Sequence, residues 1–277
     1  MIKVHYIENF SEGDSTAQLE ALKKVFKLVP LEEADLIYCA SVAKVKEAIE
    51  AVKTSGKPLA VYCWDYYKWA HEGRNQGFNW ALYQNLLDMA SLILVPSDGQ
   101  QKRLKELLNL KSVVCECGVT FYDQETSSGD YVLDPVRNYP EENLNWVKKA
   151  CEELRIPYVH SEHKYTEQEF RMLVSNCAFM TCAYREASTG GLSLMEGLYN
   201  GKVALVSNSP YMGASNYIGE YGFYFQYDDF DDLKRMIKDL WEDRKSYDPK
   251  LTRKYCAYFT HDAFANRLKT EFKKIIK

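Results

Sequence analysis

The chain has 277 residues, of which 46% are hydrophobic, 14% aromatic and 27% charged. A composition of this kind excludes a disordered chain, and the length predicts two domains of ordinary size. The formal net charge of −4 argues against the broad cationic surface that sequence-independent binding to nucleic-acid phosphates requires.

Targeting and redox signals favour a cytoplasmic protein. The first residues, MIKVHYIENF, contain no long apolar stretch, and no run of about 18 apolar residues that would span a membrane occurs in the sequence. The eight cysteines show no CxxC or CxxH spacing, which argues against a zinc site. Five of them lie in strand-like apolar runs, which predicts buried, reduced thiols: Cys39, Cys63, Cys115, Cys117 and Cys182.

Short apolar runs alternate with helical patterns in the first half of the chain. Strands are predicted at residues 2–7, 34–40, 57–64, 91–97 and 112–119. A helical spacing follows the first strand, at Leu19, Leu22, Val25, Phe26 and Val29. A second helix runs from Ser41 to Gly56 and has the expected start and stop signals. This alternation predicts a parallel sheet wrapped by helices.

The same alternation restarts after a polar stretch at residues 120–130, where a domain boundary is expected. Strands are predicted at residues 131–136, 156–161, 178–184, 202–207 and 222–227, with helices between them. The predicted fold class is therefore α/β with two Rossmann-like domains in tandem. The predicted division is residues 1–125, a compact second domain at 126–260, and a C-terminal helix at 261–277 that packs back on the first domain. Neither GxGxxG nor GxxxxGK[ST] occurs, which argues against dinucleotide and P-loop chemistry.

The segment REASTGG, residues 185–191, has the clearest chemical pattern. The preceding predicted strand delivers it to the carboxyl edge of a sheet, where open α/β sheets bind ligands. A helix that begins near Gly191 has amides without intrahelical acceptors and a dipole that favours an anion. Gly190 and Gly191 let a bulky group approach the backbone, so a phosphate is the candidate ligand. Ser188 or Thr189 either donates to the same anion or caps the helix.

Two glutamates flank the start of that helix. Glu196 lies about one and a half turns into it, beside its apolar face, where a carboxylate suits the vicinal hydroxyls of a ribose. An exposed helix glutamate is the alternative. Glu186 stands beside Arg185, and a structural ion pair is the alternative to a functional role.

A family resemblance begins at Gly191. The run GLSLMEGLYNGKVALVSNSPYMGASNYIGEYGFYFQYDDFDDLKRMI resembles the donor-site segment of retaining glycosyltransferases with the GT-B fold, especially those of glycosyltransferase family 4. Their pattern is E-x7-E, then EGFGLxxLEAMAxGxPVV, then a turn before AGLLxxPxDxxxLAxAI. In the first half, SLILVPSDGQQKRLKELL and SVVCECGVTFYD are also similar to family segments, so the resemblance covers roughly residues 90–245 in order.

The resemblance implies two domains that face a cleft, with a nucleoside diphosphate sugar bound mainly by the second. By position, Glu196 would bind the ribose hydroxyls, Arg137 the diphosphate, and Glu186 the transferred sugar. Further donor-binding positions are Ser188, Thr189, Gly190, Gly191 and Leu192. The implied reaction is front-face attack in which the donor phosphate assists deprotonation of the acceptor. No metal or other cofactor is expected, because basic residues and helix amides stabilise the departing diphosphate.

The sequence departs from the family pattern twice. Glu186 and Glu196 are ten positions apart instead of eight. Either a two-residue bulge preserves the role of Glu186, which we prefer, or Ser188 replaces it. Glu142 stands where the family has a lysine, which removes one cation from the phosphate site. Arg185 or Lys164 is the candidate substitute.

The acceptor side is predicted in the segment CWDYYKWAHEGRNQGFNWALY, which follows the third strand. Asp65 is the preferred candidate there, and a structural carboxylate that caps the next helix is the alternative. The tryptophans would stack on a sugar or a nucleobase, or else belong to an aromatic core. The acceptor-side candidates are Trp64, Tyr66, His71, Arg74 and Gly13.

The sequence therefore predicts a retaining GT-B glycosyltransferase, a hexosyl- or pentosyltransferase, with Glu186, Asp65 and Arg137 as catalytic residues. Its partners would be a nucleotide sugar and a glycan, a small molecule or modified DNA as acceptor. One alternative is a phage-type enzyme acting on hydroxymethylated DNA bases, against which the pI near 5.8 counts. Another is a non-catalytic nucleotide-sugar binder or partner subunit, motivated by Glu142 and the altered glutamate spacing. The sugar, the base and the oligomeric state stay open.

Overall fold

The computed structural model describes residues 1–7, 14–40, 44–64, 79–135, 144–160, 165–184, 186–187 and 191–276. The side chains of residues 14, 15, 144, 145, 186 and 187 lie outside this description. The chain divides into two compact units. Unit 1 comprises residues 1–120 and 259–277, and unit 2 comprises residues 121–258.

Unit 1 contains a parallel sheet of six strands. They are β1 Lys3–Ile7, β2 Lys27–Leu28, β3 Leu36–Cys39, β4 Leu59–Tyr62, β5 Leu92–Val95 and β6 Val113–Val114, in the order β2-β1-β3-β4-β5-β6. The sequences LIYC and LAVY are buried at every position, as expected for strands that are covered on both faces. The strand order reverses between β1 and β3, which is the switch point where such sheets bind ligands.

The helices of unit 1 follow its strands, and side chains or glycine mark their ends. Within residues 1–120, the described α-helices are α1 Asp14–Val25, α2 Val45–Ser55, α3 Trp80–Met89 and α4 Asp98–Leu108. Asn79 and Ser97 cap α3 and α4 through their side chains, and Gly56 ends α2 at a φ of 64°. Val29, which fits the helical spacing after β1, instead follows β2, because its amide donates to the carbonyl of Val4 in β1.

Unit 2 contains a parallel sheet of five strands and a separate strand pair. The sheet strands are β7 Val132–Asp134, β8 Tyr158–His160, β9 Phe179–Cys182, β11 Ala204–Ser207 and β13 Gly222–Phe225, in the order β13-β11-β9-β7-β8. The pair is β10 Glu186–Ala187 and β12 Tyr211–Met212. Here the strand order reverses between β7 and β9, so both units share one topology.

Six α-helices are described in unit 2. They are α5 Leu144–Leu154, α6 Glu167–Asn176, α7 Leu192–Tyr199, α8 Ala214–Ile218, α9 Phe230–Asp243 and α10 Pro249–Cys256. Thr166 and Glu169 form a capping box at α6, and Asp229 caps α9. Single 3-10 turns lie at Leu31–Glu33, Gly219–Tyr221 and Ala257–Phe259.

The last helix, α11 His261–Phe272, belongs to unit 1. Phe272 is fully buried, and its ring centroid lies 5.3 Å from that of Phe26 after α1. Lys24 of α1 pairs with Asp262 at 2.9 Å on the outside of the same contact. The C-terminal helix therefore packs on the first unit as predicted, and the two parallel sheets confirm the predicted α/β fold class.

Candidate functional site

The amino end of α7 lies beyond β9, at the carboxyl edge of the sheet in unit 2. Gly191 is its N-cap residue, and the Gly191 carbonyl accepts from the amide of Met195 at 2.8 Å. The amides of Leu192, Ser193 and Leu194 come before this first intrahelical donor and therefore have no acceptor within α7. Together with the helix dipole, these three donors make the amino end of α7 suited to an anion.

Gly191 is required by packing against α8. A Cβ built at Gly191 would lie 2.7 Å from Cβ of Tyr217 and 2.8 Å from Cγ and Cδ2 of its ring. Tyr217 is fully buried, and its carbonyl accepts from the hydroxyl of Tyr255 at 2.9 Å. From the sequence, Gly191 was expected to let a ligand approach the backbone. In the structure, the side chain of Tyr217 occupies the space where a Cβ of residue 191 would lie.

The strand pair β10 and β12 fixes the backbone just before α7. Glu186 pairs with Tyr211, and Ala187 with Met212. The carbonyl of Met212 also accepts from the hydroxyl of Ser215 at 2.8 Å, at the start of α8. The backbone of residues 186–187 is thus held against that of residues 211–212, which follow β11.

A buried polar cluster lies at the same edge, at the switch point between β7 and β9. Asp134 ends β7 and is 1% exposed. Its Oδ1 and Oδ2 accept from the hydroxyl of Tyr184 at 2.9 and 3.1 Å, and Oδ2 accepts from the hydroxyl of Tyr158 at 3.4 Å. Nδ1 of His160 lies 3.3 Å from the same Oδ2. We call these four residues the Asp134 cluster.

The protonation of the phenols in this cluster is set by burial and charge. Burial, and then the charge of Asp134, raise the pKa of Tyr184 far above its usual range. Burial likewise raises the pKa of the nearby Cys182 thiol. Tyr184 is therefore a neutral phenol at ordinary pH, and it donates its hydrogen bond to a carboxylate that can only accept.

Glu196 lies in the middle of α7 and is partly exposed, while Leu194, Met195 and Leu198 beside it are buried. The end of this helix is fastened to the start of unit 2. The side chain of Asn200 donates to the carbonyls of Tyr122 and Glu196 at 3.0 and 3.1 Å, and it accepts from the amide of Gln124 at 3.0 Å. These bonds fix the position of the helix that presents Glu196.

Eleven predicted site residues lie outside the part of the chain that the structure describes: Gly13, Asp65, Tyr66, His71, Arg74, Arg137, Lys164, Arg185, Ser188, Thr189 and Gly190. Only the backbone of Glu186 is described. The described predictions in unit 2 are Gly191, Leu192 and Glu196, and all three lie on α7 or at its N-cap. Their roles as ligand contacts stay predictions.

Trp64 is the described member of the acceptor-side candidates, and it lies just after β4 in unit 1. Its ring centroid is 4.5 Å from that of Tyr62, and its indole N–H donates to the carbonyl of Ala40 at 3.0 Å. These contacts connect the ends of β3 and β4 and match the aromatic packing that the sequence leaves as the alternative to sugar stacking.

Sequence reasoning missed the Asp134 cluster. Its members come from three separate runs, YVLDPV, IPYVHS and AFMTCAY, each of which predicts only a strand. One signal was available: Asp134, His160 and Tyr184 all fall at the carboxyl end of their runs, and such ends meet at one edge of a parallel sheet.

All eight cysteines are free and buried, as the sequence predicts for the five in apolar runs. Within the described ranges, no group of three or more histidine, cysteine, aspartate or glutamate side chains is arranged to hold a metal ion. In those ranges, too, no helix is long and apolar enough to cross a membrane.

Comparison with known proteins identifies the fold. No protein-family model matches the sequence, and no curated protein sequence matches it either. HepE from Anabaena, in a crystal structure with UDP and glucose, is 14% identical with a TM-score of 0.69 over 99% of this chain and 100% of HepE. The apo lipopolysaccharide outer core galactosyltransferase WaaB is 13% identical, with a TM-score of 0.68 over 99% and 100% of the two chains. Sucrose-phosphate synthase from Thermosynechococcus elongatus is 10% identical, with a TM-score of 0.63 over 99% of each chain.

These similarities extend over nearly the whole chain and confirm the GT-B fold that the sequence predicts. At such low identity they show the fold alone, and the site must supply the chemistry.

Proposed function

We propose that this protein is a glycosyltransferase that moves a sugar from a nucleoside diphosphate sugar to a hydroxyl acceptor, with retention of the anomeric configuration. The single observation that carries the proposal is the anion-suited amino end of α7, which lies at the carboxyl edge of unit 2 in a chain with the GT-B fold. Two solved neighbours with this fold are HepE in complex with UDP and glucose and HepE in complex with UDP-glucose.

The proposed donor site divides the nucleotide sugar between two parts of α7. The amides of Leu192, Ser193 and Leu194 hold the diphosphate, because they are donors at the positive end of the helix dipole. Glu196 lies two to four residues after these amides, about 3–6 Å further along the helix axis at 1.5 Å per residue, and its carboxylate accepts from the two ribose hydroxyls.

The leaving group is stabilised by these amides together with Arg137, so that transfer needs no metal ion. Arg137 lies outside the described residues, and its role is implied by the family resemblance. A turnover assay in the presence of a chelator tests this part of the proposal. Loss of turnover that Mg²⁺ or Mn²⁺ restores would contradict it.

The first experiment identifies the nucleotide. A set of nucleoside diphosphate sugars is screened for an increase in melting temperature, because a ligand at 100 times its dissociation constant stabilises the folded state by about 2.7 kcal/mol. UDP-glucose and UDP are the first probes.

The second experiment tests the site through Glu196→Ala and Arg137→Ala. A hydrogen bond to a charged group contributes about 1.5–3 kcal/mol, so Glu196→Ala is expected to weaken donor binding by about 10- to 100-fold in calorimetry. Glu242→Ala is the matched control, because Glu242 is an exposed glutamate of α9 paired with Lys238. Undiminished donor turnover in both site variants would refute the proposed site. Donor binding by the wild-type protein without any product would instead select a non-catalytic nucleotide-sugar binder.

A further inference from the structure

A surface pocket in unit 2 lies at the end of the sheet opposite the amino end of α7. It is formed by one side of α6 and by residues 124–125, which precede β7. Because α6 ends at Asn176, just before β9 begins, the pocket lies at the amino edge of the sheet, whereas α7 begins at the carboxyl edge. Its volume is about 520 Å³, within the range of about 300–1,000 Å³ that small-molecule sites have.

The pocket is lined mostly by polar side chains. Three carboxamides, one carboxylate and one guanidinium line it together with a single thioether: Gln124, Gln168, Asn176, Glu125, Arg171 and Met172. Each carboxamide has both a donor and an acceptor group. Among the described side chains that line the pocket, only Met172 is apolar, so the lining suits a ligand rich in hydrogen-bonding groups.

Two of the carboxamides are held in place through their oxygen atoms. Oγ of Ser175 donates to Oε1 of Gln124 at 2.5 Å, and Oγ of Ser127 donates to Oδ1 of Asn176 at 3.3 Å. The backbone amide of Gln124 is also fixed, because it donates to Oδ1 of Asn200 at 3.0 Å. Since the oxygen is the held atom, each of the two side chains offers a ligand its NH₂ group, which donates up to two hydrogen bonds.

The charges of the pocket disfavour an anionic ligand. The guanidinium of Arg171 pairs with the carboxylate of Glu167 one turn earlier on α6, and it lies 3.1 Å from the centroid of the Tyr122 ring. With Arg171 neutralised in this way, Glu125 leaves the lining with a net negative charge, which would repel a phosphate. A single carboxylate is also too few ligands for a metal ion such as Ca²⁺.

A neutral carbohydrate has the complementary chemistry. Each sugar hydroxyl both donates and accepts, so neighbouring hydroxyls can accept from the NH₂ groups of Gln124 and Asn176 and donate to the carboxylate of Glu125. The C–H faces of a sugar ring are apolar. Met172 is 58% exposed and offers these faces a flexible, polarisable surface, while Gln168 lies one turn earlier on the same side of α6.

We propose that this pocket is a binding site for a neutral carbohydrate, separate from the donor site at the amino end of α7. An open polar pocket exchanges hydrogen bonds with water for hydrogen bonds with the ligand, so we expect dissociation constants in the millimolar range. None of its side chains belongs to the proposed donor site, so the pocket can bind a sugar whether or not α7 binds a nucleotide.

NMR spectroscopy of the isotope-labelled full chain tests for binding at this place, because the side-chain amides of Gln124, Gln168 and Asn176 give signals of their own. The neutral probes are glucose, galactose, maltose and lactose, each titrated separately. At least one of them is expected to shift these three signals in a saturable manner. Glucose 6-phosphate is expected to bind no more tightly than glucose, because its phosphate meets the charge of Glu125.

Two variants identify the side chains that bind the sugar. Glu125→Ala and Gln168→Ala each remove one hydrogen-bonding group from an exposed position, so we expect both proteins to fold. Each variant is expected to raise the dissociation constant of the bound sugar by about 3- to 10-fold, as for the loss of one hydrogen bond. The matched controls are Glu152→Ala, at an exposed position of α5, and Gln84→Ala on α3; both should keep the wild-type dissociation constant, because neither residue lines the pocket.

Three results would each overturn the inference: no saturable shift with any of the four neutral sugars, equal sugar binding by the wild-type protein and both pocket variants, or tighter binding of glucose 6-phosphate than of glucose. None of these results bears on donor binding, which calorimetry with UDP-glucose measures through Glu196→Ala. Conversely, a protein that binds a sugar in this pocket and binds no nucleotide sugar would refute the proposed function alone.

Discussion

Replacing Gly191 with alanine tests whether tight packing or ligand approach dictates the residue at the amino end of α7. The added methyl group would lie 2.7–2.8 Å from three side-chain atoms of Tyr217, well inside van der Waals contact. Tyr217 has little room to retreat, because it is fully buried and its carbonyl is bonded to the hydroxyl of Tyr255. Overpacking of this kind costs about 1–3 kcal/mol, and the lower chain entropy of alanine recovers about 0.4–1 kcal/mol at a φ of −90°. We expect a net loss of about 1–2 kcal/mol in the free energy of unfolding.

The measurement is urea unfolding of the Gly191→Ala protein, with the same substitution repeated in a Tyr217→Ala background. The Tyr217→Ala background removes the contacts with Cγ and Cδ2 of the ring and keeps the one with Cβ, so the cost of Gly191→Ala should fall without disappearing. UDP-glucose binding should weaken in the single variant, because the amides of α7 move with its first residue. A Gly191→Ala protein as stable as the wild type would show that contact with Tyr217 does not require glycine here, and an equal cost in both backgrounds would show that the ring of Tyr217 is not responsible.

Two further predictions concern buried titratable groups. Nζ of Lys202 donates to the carbonyls of Ser127 and Cys177 at 2.8 and 2.5 Å, and burial lowers the pKa of Lys202 below its usual 10.5. The amine of Lys202 therefore binds its proton more tightly in the unfolded chain, and the free energy of unfolding should rise with pH between the lowered pKa and 10.5. Urea unfolding in alkaline buffers measures this rise, which should be smaller in the Lys202→Met protein. The second prediction concerns the cysteines: all eight are buried, and burial raises the pKa of Cys115 and Cys177 to about 12. A disulfide reagent should therefore react with no thiol in the native protein and with eight after denaturation.

The main strands and helices were predictable because their signals are local. The run LAVY is buried on both faces, and a strand of a covered parallel sheet reads as a continuous apolar stretch. Thr166 with Glu169 at α6, and Asp229 at α9, are capping residues whose signals lie within a few positions of the helix start. The start of α7 at Leu192 agrees with the predicted helix start near Gly191, although a glycine has no side chain to cap it.

What could not be predicted depends on contacts between distant parts of the chain. The strands β10 and β12 have two residues each, and only their pairing makes them strands. The predicted strand at 112–119 shortens to Val113–Val114, because its pairing with β5 ends at Val114 and the amide of Cys115 makes the last bond, to the carbonyl of Val95. Tyr184 reaches Asp134 across 50 positions of sequence. The place of each residue at the end of its apolar run puts both at one edge of the sheet, but it does not predict the hydrogen bond between them.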